Sequence, residues 1–277
     1  MFRGKDNALQ PNYEHIPVGY HGRSSSIVVS GTPIRRPHGQ ILLPGYETPI
    51  FSPCRKLDIE LEMGAFVCKQ NPMGTGIPIG EAKEYIFGLV MLNDWSARDV
   101  QAWEYVPLGP FLAKNFGTTI SAWVVLTSAL QPFLAEGLEK GNRDILLPYL
   151  QEDVEKNVYD ITLTVDLKTK GGTTKTITKT NAKNLLYSYP QMLAHHSVTG
   201  CPMKVGDLLG SGTISGLEKE SRGSFLEQTT NGKEPIEVGD GETRAFLEDG
   251  DTITIRGVAG ATGAYVGFGE CIGVIEG

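Results

Sequence analysis

A mainly β fold with a few helices is predicted from three observations. Short runs rich in β-branched and aromatic residues alternate with Gly-containing turns over much of the 277 residues, which include 34 glycines and 16 prolines. Several of those runs carry apolar and polar residues in alternation, the period of a half-buried strand. Helical periodicity is confined to a few short stretches, so runs of strands dominate the layers that can form. The length allows one large domain or two small ones, and 40% hydrophobic residues suffice for a sizeable core.

The first clear strand is Lys56-Leu-Asp-Ile-Glu-Leu-Glu-Met63. Side chains on a strand alternate faces, so Leu57, Ile59, Leu61 and Met63 are expected in a core while Asp58, Glu60 and Glu62 share the opposite face. Like charges side by side repel, and a bound divalent cation would offset the repulsion. Oxygen ligands favour Mg²⁺ or Ca²⁺ over zinc or copper. A solvated strand face is the competing account, and for an isolated Asp-x-Glu-x-Glu it is the commoner one.

A second acidic segment strengthens the metal reading. Residues 85–93 form a near-continuous apolar run, as expected of a strand buried on both faces, and it ends at Asn93-Asp94. Ser96 followed by Asp99 resembles a capping box, so a helix is expected from about Ala97. On that helix Arg98, Gln101 and Tyr105 would share one face. From spacing alone, an ordinary polar helix face is the commoner account of the trio. A carboxylate at a strand end followed by an Arg/Gln/Tyr stripe is also how a site combines a metal with groups for an anionic substrate.

Further along, Tyr159–Leu167, Thr173–Thr178 and Asp251–Arg256 read as strands, and Val205–Thr213 as a strand leading into a Gly-bounded loop. The Lys- and Thr-rich stretch 168–180 lacks the spacing of a phosphate-binding loop and reads as a solvated hairpin. His15 and His21 are expected to pack in loops, His38 gives no signal, and His195-His196 would point to opposite sides of a strand. The formal charge of -7 argues against nucleic acid or an anionic membrane as partner. Cys54, Cys68, Cys201 and Cys271 show no paired short spacing, no secretory leader is seen and no run approaches the length of a transmembrane helix, so free thiols in the cytoplasm are expected.

Pro17-Val-Gly-Tyr-His-Gly-Arg-Ser-Ser-Ser26, Leu61-Glu-Met63, Leu92-Asn-Asp-Trp-Ser-Ala-Arg-Asp99, Trp103-Glu-Tyr-Val-Pro-Leu-Gly-Pro-Phe111, Phe116-Gly-Thr-Thr119, His195-His-Ser197 and Gly212-Thr-Ile-Ser-Gly216 resemble the fumarylacetoacetase (fumarylacetoacetate hydrolase) family, in order along the whole chain. The resemblance implies one catalytic domain over residues 1–277, with the β-roll or sandwich of that family's carboxyl-terminal part. It implies a metal-dependent, cytoplasmic, homodimeric hydrolase that cleaves 4-fumarylacetoacetate, a diketo acid, to fumarate and acetoacetate at the end of tyrosine and phenylalanine breakdown.

Matched position by position, the resemblance makes Glu60, Glu62 and Asp94 the ligands of Mg²⁺ and/or Ca²⁺, with Lys114 and Thr118 in a neighbouring part of the ion site. It makes Arg3, Tyr105 and Thr213 substrate contacts, Arg98, Gln101 and Lys114 the groups that polarise the reacting carbonyl and stabilise charge, and Glu227 the acid that orients a catalytic His. In the family that His, one further acidic ligand and a substrate-binding Tyr lie on a segment just before the position of Met1, behind a small amino-terminal β-domain. The expected hydrolase is therefore complete only with that segment. The alternatives are a metal-binding remnant without catalysis, and an oxo-acid decarboxylase of the wider superfamily.

Overall fold

Leu57, Ile59, Leu61 and Met63 are each 0% exposed, as their spacing requires, and they anchor the main core. The computed structural model describes residues 12–17, 19–138, 144–261 and 263–277. In chain order the elements that build the site are β1 (Ile27–Val29), β2 (Ile34–Arg35), β3 (Leu57–Asp58), β4 (Leu61–Val67), β5 (Ile86–Asp94), β6 (Ser96–Ala97), α1 (Arg98–Leu108), β7 (Thr118–Ile120) and β8 (Val125–Leu126). They are followed by β9 (Ile161–Lys168), β10 (Thr174–Asn181), α2 (Tyr189–Ser197), β11 (Leu208–Gly210), α3 (Phe225–Gln228), β12 (Thr252–Ala261) and β13 (Ala264–Glu276).

Two mixed sheets result. In the first, β1, β7, β5, β4 and β11 lie side by side in that order, with β8 also paired to β5. In the second the order is β10, β9, β12, β13, β2. The apolar run predicted before Asn93-Asp94 is β5, and its residues 88–93 are all buried because strands flank it and the second sheet covers it. Contact between the sheets is close: Gly257 of β12 lies against Met91 of β5, and Gly273 of β13 lies against the fully buried Trp95. The predicted hairpin over 168–180 is formed by β9 and β10. No helix among the described residues is long and apolar enough to cross a membrane.

Three local expectations are corrected. The strand predicted over 56–63 is broken between Asp58 and Leu61, giving β3 and β4, because the Asp58 carboxylate turns back to accept from the Ile59 amide at 2.8 Å. Asp58 thereby leaves the face shared by Glu60 and Glu62 and is fully buried. The Ser96/Asp99 capping box does not form: α1 has no side-chain cap, Ser96 Oγ donates to the Asp94 carbonyl, and Asp99 accepts from the Arg55 amide and the Cys54 thiol. His195 and His196 sit in the last turn of α2, where the capping box is Ser188/Gln191, rather than on a strand.

Strand β13 was not anticipated. Gly267, Gly269 and Gly273 weaken its apolar alternation in the sequence. At Gly273 the absence of a side chain admits the Trp95 indole. A methyl group there would overlap the ring, whose own position is locked by Nε1 donating to Thr119 Oγ1 at 2.8 Å. Gly273→Ala is expected to destabilise the protein by about 1–3 kcal/mol, the usual cost of overpacking a tight core. Denaturant unfolding measures this, and an unchanged midpoint contradicts the packing described.

Candidate metal centre and its neighbours

Antiparallel pairing of β4 with β5 brings the acids together. Leu61 pairs with Asn93, and one step beyond the end of the ladder the Asp94 amide donates to the Glu60 carbonyl at 3.2 Å, which places Glu60 opposite Asp94. Opposed side chains in such a pair lie about 5 Å apart at Cβ. Glu62, two residues along the same face, completes the group, and one carboxylate oxygen from each of the three lies within 4.8 Å of the others. Thr118 of β7 is the register partner of Asp94 on its other side.

Two cations and a hydroxyl close over this cluster. Arg98 Nη1 donates to Glu60 Oε1 at 2.8 Å, and Lys114 Nζ reaches Glu60 Oε2 at 2.5 Å and Asp94 Oδ2 at 2.9 Å. The Gly212 amide donates to Glu62 Oε2 at 3.1 Å. Tyr20, part of the 17–26 stretch but given no role by the sequence, donates its hydroxyl to Asp94 Oδ2 at 2.7 Å. Although Tyr20 is 48% exposed overall, burial of the hydroxyl end and the charge of Asp94 push its pKa up.

The electrostatics divide the acids. Burial works to raise the Glu60 carboxyl, but Lys114 and Arg98 outweigh it and hold the group at about 2. Glu62 is pushed well up, first by burial and then by the charges of Asp94 and Glu60. Asp94 is raised by burial and by Glu60 against the opposing pull of Lys114. Among the described residues, four carboxylates, Asp58, Glu60, Glu62 and Asp94, face two cations, Arg98 and Lys114, and with all four ionised the excess would be two negative charges. An all-oxygen donor set with that excess fits a hard dication such as Mg²⁺ or Ca²⁺.

The other predicted residues fall at graded distances. Gln101 Oε1 accepts from Arg98 Nη1 at 3.1 Å, so both belong to the cluster. Tyr105, two turns along α1 from Arg98, is 40% exposed. Thr213 is half-buried beside Gly212, the donor to Glu62. Glu227 Oε2 accepts from Ser215 Oγ and Ser224 Oγ at 2.8 and 2.9 Å, and Ser224 caps α3. Arg3 lies outside the described residues.

Asp58 links these parts. Its Oδ1 accepts from the Ile59 and Phe225 amides, and its Oδ2 accepts from the Leu226 amide and Arg98 Nε, all at 2.7–3.0 Å. The residue that aims Arg98 therefore also seats the first turn of α3, which carries Glu227. Asp58→Ala, which leaves the Arg98 guanidinium short of a buried partner, is expected to cost about 3–5 kcal/mol of stability. Urea unfolding checks this, and a loss below about 1 kcal/mol, the range of exposed ion pairs, contradicts it.

The chain is 64% identical over 278 residues to a fumarylacetoacetase of Aspergillus fumigatus and 53% identical over 276 residues to the human fumarylacetoacetase, covering 99% of this chain in both cases. It spans 64% and 65% of the length of those curated relatives. Among solved structures, a fumarylacetoacetate hydrolase from psychrophilic Exiguobacterium antarcticum superimposes with a TM-score of 0.56 at 18% identity, over 91% of this chain and 63% of that one, which shows a shared fold. The family described as fumarylacetoacetate (FAA) hydrolase C-terminal matches residues 3–276, and the chain belongs to that family.

Proposed function

We propose that residues 1–277 form a single catalytic domain that hydrolyses a carbon–carbon bond in 4-fumarylacetoacetate, giving fumarate and acetoacetate in the last step of tyrosine and phenylalanine catabolism. The observation that carries this reading is the sharing of the Glu60 carboxylate between two cations within the acid cluster, in a chain whose curated relatives are fumarylacetoacetases. A Mg²⁺ and/or Ca²⁺ ion held by Glu60, Glu62 and Asp94, with Lys114 and Thr118 bordering it, would supply Lewis-acid polarisation of the diketone oxygens. The same reading makes the chain a cytoplasmic homodimer whose partner is a small anionic diketo acid rather than nucleic acid or a membrane.

Carbon–carbon hydrolysis expels a carbanion, so donors must already face the oxygen on which its charge settles. Arg98 is held on two sides, by Asp58 through Nε and by Glu60 through Nη1, and is therefore oriented before substrate arrives. Gln101 spends its side-chain carbonyl on Arg98, which leaves the amide N–H groups as its donors to substrate. Lys114 stabilises negative charge beside them. Tyr105, Thr213 and Arg3 contact the substrate, and Glu227 orients the histidine that activates water.

Glu60→Ala and Asp94→Ala are each expected to weaken Mg²⁺ and Ca²⁺ binding in calorimetry, and unchanged affinity in both variants removes the metal assignment. Because the raised Glu62 carboxyl must lose its proton to ligate, affinity should fall as pH drops through its elevated pKa. Binding should also release protons, seen as a dependence of the measured enthalpy on the buffer.

Among the described residues Glu227 bonds serines and no histidine, so the 277 residues expressed by themselves should bind the ion yet hydrolyse fumarylacetoacetate feebly. Loss of a general base commonly costs about 10²- to 10⁴-fold in rate. Fusing the His-bearing segment of the family ahead of residue 1 should restore turnover, and Glu227→Ala should then reduce it. Robust turnover by the 277 residues alone would instead assign the base to His15 or His21.

A further inference from the structure

Three consecutive backbone amides converge on one carboxylate outside the acid cluster. Phe111 and Ala113 donate to Glu104 Oε1 at 2.6 and 2.9 Å, and Leu112 donates to Oε2 at 2.9 Å. The acceptor stands on α1 and the donors on the loop that follows it. Apolar burial contributes little at the tip of that loop, where Phe111 and Leu112 are 58% and 52% exposed. Hydrogen bonds to an ionised acceptor are roughly twice as strong as neutral ones, so Glu104 is a strong tie between loop and helix at this point, beside the Ala97 amide, which donates to the Ala113 carbonyl at 2.9 Å, and the fully buried Ala113 side chain.

The next residue in the chain is Lys114. Its own amide, and that of Asn115, turn back to the Phe111 carbonyl at 3.2 Å, so the side chain leaves the loop from the segment that Glu104 clamps. That side chain is 5% exposed and ends on Glu60 Oε2 and Asp94 Oδ2. The other oxygen of Glu60 is taken by Arg98, from the first turn of α1. Glu104 thus makes the two cations on Glu60 parts of one unit, with their separation set by α1 and the clamped loop.

We propose that Glu104 is a positioning residue that holds the Lys114 ammonium between Glu60 and Asp94, and so limits how tightly those carboxylates take a hard dication. Its second half rests on the metal reading above. Glu104 acts through the backbone of residues 111–113 and has no hydrogen bond to the acid cluster among the described residues. A clamped Lys114 opposes the dication by occupying carboxylate lone pairs and by its charge. Released, it gives up both.

The test is a double-mutant cycle on the 277-residue chain, with Ca²⁺ affinity read by calorimetry. Glu104→Ala and Lys114→Met should each tighten Ca²⁺ binding, and Glu104→Ala should add nothing in the Lys114→Met background, giving a coupling of about two- to tenfold in Kd. Glu104→Gln, which keeps one acceptor oxygen, should retain affinity closer to the original. Simple loss of a nearby negative charge predicts weaker binding in all Glu104 variants, and that result overturns the proposal, as does an equal shift in both backgrounds. If the unaltered chain binds neither Ca²⁺ nor Mg²⁺, the metal reading fails and lysine acetylation mapped by mass spectrometry decides. A faster rate at Lys114 in Glu104→Ala, with exposed Lys69 unchanged, then supports the clamp, whereas an unchanged Lys114 rate, or a rise at every lysine from general unfolding, overturns it.

Discussion

The buried carboxylate of Asp58 is the constraint on which the site depends. Four donors from three separate parts of the chain meet on it: the Ile59 amide at the break between β3 and β4, the Phe225 and Leu226 amides at the start of α3, and Arg98 Nε on α1. A charge taken out of water is tolerated only when its lone pairs are satisfied, and here they are. Satisfying them fixes the direction of Arg98, the seat of α3 and the point where the strand bends. The acids of the candidate metal centre meet through the pairing of β4 with β5, and β4 begins just after the break at this residue.

Around that anchor, among the described residues, like charges are set against fewer cations. Among the described residues Glu60 is compensated on both oxygens, whereas Glu62 has a single backbone donor and the charges of its neighbours to contend with. Such a cluster is costly to bury. A dication taking the excess charge would make it favourable, so the charge balance, more than the presence of three acids, supports the metal reading. Lys114 and Arg98 offset part of the carboxylate charge, and the polar tie between Glu104 and the 111–113 amides makes the arrangement specific in geometry.

The sheets supply rigidity behind the charged layer. Trp95, the residue immediately after Asp94, is fully buried, bonded to Thr119 and packed against Gly273. The end of β5 that carries Asp94 is therefore held by close contact with the second sheet, as expected of a site carried on strands rather than on a mobile loop. Asp94 cannot shift along its strand without moving an indole for which β13 has left space.

How far the sequence by itself determined this protein follows from the range of the interactions concerned. Periodicity placed Leu57, Ile59, Leu61 and Met63 in the core, the apolar run before Asp94 in a buried strand, and Arg98 with Gln101 on one helix face, because each depends on neighbours within a few residues. The motifs shared with the hydrolase family carried Lys114, Thr118 and Glu227, whose spacing alone says nothing. Only the tertiary structure decided that Asp58 belongs to the scaffold and not to the acid face, that Tyr20 bonds Asp94 across 74 residues, that Glu104 holds the Lys114 loop, and that β13 is a strand despite its glycines. Each of those outcomes is set by a partner distant in sequence, such as an amide of α3, a carboxylate on β5, a returning loop or an indole from the other sheet, and no local pattern encodes which partner will arrive.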